Sequence, residues 1–222
     1  MTYPLRADSS TPRNLTVFAI AAWLVAAIAA GASGLVNTPG QPPFFLVAFV
    51  GVPILTGVAG YALSPAFRAW TGRLSLTWLV GLHLWRFVGL GFVLGWLVGR
   101  LPGGFAIPEG LGDIVAAAGA LALLPSLRRG TASRTWLLVW NTFGLVDLVS
   151  ALTVGLLYSN GPLGVLSRGG VTTEPMVLFP VSLIPTFFVP LFILIHLLTF
   201  ARLSNRHAVS DATDAGRRTA HA

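Results

Sequence analysis

No charged residue stands between Arg13 and Arg68, and none between Glu174 and Arg202. That pattern constrains the fold more than any other feature of the chain. About 20 apolar residues at roughly 1.5 Å each cross the hydrocarbon core of a bilayer, and in lipid a helix satisfies its own backbone polar groups. Only 9% of the 222 residues are charged and 55% are hydrophobic, whereas a soluble domain carries about a quarter charged. The net charge of +7 does not point to a nucleic-acid partner, because the arginines punctuate apolar runs instead of forming a basic stripe. With no Cys in the chain, a disulfide framework, a Cys-ligated metal or iron–sulfur site and a thiol nucleophile are excluded.

The punctuation predicts an all-α, polytopic bundle of six transmembrane helices, at about 15–35, 44–63, 75–98, 108–127, 135–157 and 178–203. Segments rich in Gly, Pro or Arg separate them: NTPGQPP, SPAFRAWTGR, RLPGG, SLRRGTASR and YSNGPLG. Residues 1–14 and 204–222 are polar and read as an N-terminal tail and a disordered C-terminal tail flanking a membrane domain over 15–203.

Eleven arginines fall on one side of this threading: Arg6, Arg13, Arg68, Arg73, Arg128, Arg129, Arg134, Arg202, Arg206, Arg217 and Arg218. Arg100 and Arg168 fall on the other. Short cytoplasmic loops retain positive charge, so both termini are expected in the cytoplasm and the protein in the cell inner membrane as a multi-pass protein. A cleaved signal peptide is the alternative for the first span, but its apolar stretch is nearer 20 residues than the 7 to 15 of an h-region. Trp70, Trp78, Trp96, Trp136 and Tyr158 sit near the expected interfaces, and Gly91, Gly95 and Gly99 form a GxxxGxxxG pattern that favours close helix packing.

The informative residues are the ionisable groups inside lipid, where charge is costly and marks either function or a buried pairing. Counted from the arginine-rich side, Arg86 and Asp147 both lie at about 16 to 18 Å, the midplane, so they are expected to pair. Asp113 lies slightly above them, in a segment where Pro108 reads as the first helical residue and Glu109 and Asp113 occupy the first turns. Asp113 therefore has two readings, a helix-terminal role or a place in a cavity. His83, Asn141 and His196 lie about 9 to 12 Å from the arginine-rich surface. His83 shares a helix face with Arg86, as Asn141 does with Gly144. Pro180, Pro185 and Pro190 predict a kinked outer half of the last span.

Four segments, HLWRFVGL, LPGGFAIPEGLGD, WNTFGLVDL and FPVSLIPTFFVPLFILIHLL, resemble a widespread group of bacterial six-helix integral membrane proteins with no established activity. The likeness spans about the last two thirds of the chain. It implies the six-helix architecture and the same polar residues, and nothing on function.

Four functions fit these residues. In a transport or proton-relay protein, the acid left over when one arginine meets two aspartates binds a proton or a small solute; Arg86 and Asp147 gate, and His83 and His196 relay. The chain is small for a secondary transporter, which favours a homodimer. An intramembrane enzyme would use a protonated carboxylic acid on a lipid or isoprenoid, although no HExxH, GxSxG or DxxxD pattern is present. A b-type haem would need His83 and His196 as axial ligands. A structural or accessory subunit would use the polar residues only to pair helices, at about 0.6 kcal/mol per contact. The bilayer is the partner common to all four.

Overall fold

The computed structural model describes residues 10–167 and 169–220; Arg6 and Arg168 of the arginine count lie outside them. Helices α1 (Ser10–Ala32) and α2 (Phe44–Leu63) are followed by a short α3 (Pro65–Thr71). The third crossing is composite: α4 (Leu76–Leu82), one stretch of 3₁₀ helix (His83–Val88) and α5 (Gly89–Leu97). Then come α6 (Gly103–Arg129), α7 (Arg134–Leu157), a 3₁₀ turn (Glu174–Val177), a π-helical turn (Ile184–Phe188) and α8 (Val189–Ala220). Six of the helices are long and apolar enough to cross a membrane. Six alternating crossings bring the start of α1 and the end of α8 to one end of the bundle, here the terminal end.

Local chemistry explains most boundaries. Ser64 caps α3, accepting a hydrogen bond from the Phe67 amide at 3.2 Å, with Pro65 in the first turn where its missing N–H costs nothing. What reads in sequence as a loop is thus a capped helix. Gly130, at φ +70°, ends α6 in the left-handed conformation, just after Arg128 and Arg129.

Three expectations change. The fourth span starts at Gly103, not at 108, so Pro108 is inside α6 and Glu109 and Asp113 lie two to three turns into it. Pro within a membrane helix is tolerated where neighbours satisfy the freed carbonyl, so it is a weak marker of a helix start. The last span begins at Ile184: Pro180 precedes it, Pro185 lies in the π turn and Pro190 in the first turn of α8. At its other end α8 continues to Ala220, through the segment expected as a disordered tail; 204–220 contains no Pro to stop it.

The core lies between α4, α6, α7 and α8, where Leu79, Val80, Ala120, Leu124, Leu137, Trp140, Phe192 and Ile195 are buried together. Helix α2 has no buried residue, as suits a helix facing lipid. Helix α1 is tied on by Trp23, whose Nε1 donates to the Thr186 carbonyl at 3.1 Å and whose ring packs on Phe187.

Candidate functional site

Helix α5 packs along α6, and their backbones come together at Gly89 and Gly110. A Cβ built on Gly89 would lie 2.5 Å from the Gly110 carbonyl oxygen and 2.6 Å from Asp113 Cβ, and one on Gly110 would lie 2.8 Å from the Gly89 carbonyl oxygen. Only two glycines allow backbones this close. Of the expected GxxxGxxxG pattern only Gly95 is packed, a Cβ there lying 2.9 Å from Leu101 Cδ1; a Cβ on Gly91 would meet nothing within 4 Å, and Gly99 ends the helix at φ +70°. The Gly89–Gly110 contact sets Asp113 against the 3₁₀ stretch His83–Val88. At three residues per turn, that stretch stacks His83 and Arg86 on one face.

Arg86 is 1% exposed and its guanidinium is held on every side. Nε donates to Asp113 Oδ1 at 2.6 Å, one terminal nitrogen donates to Asp147 Oδ2, and the other donates to the Gly144 carbonyl at 3.0 Å. The expected Arg86–Asp147 pair is present, but Asp113 is not a spare acid: it shares the same cation. A guanidinium cannot give up its charge and cannot reach water from this depth, so two carboxylates from different helices answer it.

Glycines make room for the cluster. A Cβ on Gly144 would lie 2.6 Å from His196 Cε1 and 3.0 Å from Arg86 Nη1, and one on Gly112 would collide with Asp147. Glu109, one turn before Asp113, counts in sequence toward the surface opposite the arginines. It is 2% exposed and accepts a hydrogen bond from Ser150 Oγ at 2.8 Å. The buried layer therefore holds three carboxyl groups against one guanidinium. Ser150 went unnoticed in the sequence because a lone Ser in an apolar helix usually bonds its own backbone.

Below the ion pairs the polar groups continue. Asn141 Nδ2 donates to the His196 carbonyl at 3.0 Å, and Asn141 Oδ1 lies 2.8 Å from His196 Nδ1. Since that oxygen only accepts, Nδ1 carries the hydrogen, and Nε2 is left to accept from Arg86 Nη1 at 3.4 Å. His83 is fully buried, and neither ring nitrogen has a hydrogen-bond partner. Trp140, Phe192 and His196 enclose it at ring-centroid distances of 5.1, 5.0 and 4.2 Å.

The two histidines do not fit a bis-histidine haem. Iron held between imidazoles needs their nitrogens opposed across the macrocycle. Here the rings touch, tilted by 37°, and both nitrogens of His196 are engaged.

Above the ion pairs lies a cavity of about 110 Å³. Its mouth is at the end opposite the termini, between the α1–α2 loop and the end of α7, which are joined by a bond from the Gly40 amide to the Asn160 carbonyl at 2.8 Å. Its floor includes Asp113, and its walls are mainly apolar, with Phe92, Phe105, Leu152 and Ile184 among them.

Six apolar helices, the last four crossings among them holding a buried ionic centre, define an all-α membrane protein of the multi-pass class. Within that class the chain belongs to a family described as a domain of unknown function, DUF8737, whose profile matches residues 43–204. The match contains every member of the ionic centre and omits α1. No curated protein and no solved structure matches the chain.

Proposed function

We propose that the protein translocates protons, coupled to a small solute, across the cell membrane, with the arginine-rich terminal end in the cytoplasm and the cavity opening outward. The observation that carries this reading is the base of the cavity, where Asp113 is at once exposed to the cavity and bonded to a buried arginine. Charge balance gives the mechanism. With Arg86 fixed as a cation, full ionisation of Glu109, Asp113 and Asp147 would leave two uncompensated negative charges in hydrocarbon. Lipid disfavours that state strongly, so protons or a cationic solute complete the site. Loading from the cavity shifts which carboxyl group Arg86 holds, and the 3₁₀ stretch is the element placed to move with it. His196 and His83 continue the polar path toward the terminal end, His196 by direct contact with Arg86.

The test is a pH jump across proteoliposomes on a solid-supported membrane. The reading expects a transient displacement current that Asp113→Asn and Asp147→Asn each reduce several-fold and that the double substitution abolishes. A wild-type current equal to that of protein-free liposomes would overturn it.

A further inference from the structure

The charge pattern of the cavity identifies what it admits. Among the described lining residues the two ionisable ones are both acids: Asp113 at the floor and Glu174 at the mouth. Asp113 gives Oδ1 to Arg86, and no described residue donates a hydrogen bond to its second oxygen. Glu174 forms no ion pair among the described residues, and its carboxylate is given no hydrogen bond. Between the two acids the wall is apolar and partly aromatic: Phe92 and Phe105 pack as a tilted pair, ring centroids 5.7 Å apart, beside Met176 and Ile184. An anion entering here would meet two carboxyl groups and, among the described lining residues, no cation. A neutral polar molecule would lose its hydration to hydrocarbon walls. A small organic cation with an apolar body meets both requirements, since its body replaces water on the walls and its charge faces aromatic rings and a carboxylate.

We infer that the cavity is a binding site for small lipophilic monocations, of the alkyl- or aryl-ammonium class. A site of about 110 Å³ suits a body no larger than one aromatic ring or a short branched chain. Bound there, the cation supplies positive charge beside Asp113 that protons otherwise supply, so cation and proton compete for one site. That exchange rests on the transport reading above; the binding does not.

The chain contains no cysteine, so a single introduced thiol reports on the cavity alone. Ala151→Cys places it on the wall, and Val165→Cys places a control on the exposed loop of the same end. Relative to the control, the cationic reagent MTSET should modify position 151 at least tenfold faster than the anionic reagent MTSES. Benzyltrimethylammonium should slow that modification at least fivefold, and benzenesulfonate should not. Glu174→Gln, remote from the ion pairs, and Asp113→Asn should each reduce the protection, with monodispersity by gel filtration confirming that both fold. Equal relative rates for the two reagents, equal protection by benzenesulfonate, or protection unchanged in both variants would overturn the inference. Protection without a pH-jump current would overturn the transport reading and keep the site; a current without protection would do the reverse.

Discussion

Replacing Arg86 by Met removes the only positive charge among the described residues of the buried layer while keeping most of the side-chain volume. Four hydrogen bonds vanish at once: to Asp113 Oδ1 at 2.6 Å, to Asp147 Oδ2, to the Gly144 carbonyl at 3.0 Å and to His196 Nε2 at 3.4 Å. Two carboxyl groups are left buried without a counter-charge. Breaking a buried pair from one side costs about 3 to 5 kcal/mol, most of it the penalty on the group left behind. At about 1.4 kcal/mol per decade, the folded-to-unfolded ratio should fall by a factor of roughly 10² to 4 × 10³. The triple variant Arg86→Met, Asp113→Asn, Asp147→Asn removes the charges together, so it should recover all but about 1 kcal/mol, the deficit coming from amides that find fewer partners. Equilibrium unfolding in mixed micelles, followed by tryptophan fluorescence, measures both changes. Arg86→Met within about 0.5 kcal/mol of wild type, the ordinary scatter of a surface substitution, would refute the account. So would a triple variant no more stable than the single one. The pH-jump current should stay absent in the triple variant even where stability returns, which separates a structural ion pair from a working one.

Other substitutions read other parts of the site. Gly144→Ala puts a methyl group 2.6 Å from His196 Cε1 and 3.0 Å from Arg86 Nη1, so it should cost about 1 to 3 kcal/mol by overpacking in the same unfolding assay. His83→Phe removes an imidazole that has no hydrogen-bond partner and sits among three rings. Its stability should hold or rise by about 1 kcal/mol, while the pH-jump current decays more slowly if His83 relays protons and is unchanged if it only packs. Ser150→Ala deletes the hydrogen bond to Glu109 and should cost about 1 kcal/mol. Protein purified after expression with added haem precursor should show no Soret absorption, because the touching imidazoles leave no place for a porphyrin.

The Arg86–Asp147 pair was legible because both residues sit mid-span on helices that leave the same surface, so a count of residues at constant rise gives their relative depth. The same count sets Asp113 just above the pair, within reach of Arg86, but assigns Glu109 to the far surface, whereas it is buried. Pro108 reads as a helix start, which puts Glu109 at the outer edge of the polar pocket and leaves Asp113 between a helix-terminal and a cavity role, whereas the helix begins at Gly103. Proline alone does not say whether neighbouring helices satisfy the carbonyl it frees. The 3₁₀ stretch was invisible for a related reason: HLWRFV contains no Gly or Pro, and its tightening follows from docking against α6 at Gly89 and Gly110. Small-residue spacing marks Gly91 and Gly95 alike, yet Gly91 faces open space and Gly95 meets Leu101; which face of a membrane helix packs depends on partners that spacing does not name. The cavity could not be read at all. It exists because the α1–α2 loop is tied to the end of α7 through Gly40 and Asn160, a contact across more than a hundred residues of chain.

Everything turns on one guanidinium held by two carboxylates at mid-depth. Solid-state NMR on the protein in lipid bilayers, with ¹⁵N in arginine and ¹³C at the aspartate carboxyl, measures it through dipolar dephasing. Two aspartate carbons should dephase as expected for ion-paired groups, with N···O within about 4 Å, and both should lose the effect in Arg86→Met. Dephasing of one carbon or none, or dephasing that survives the substitution, would contradict the account.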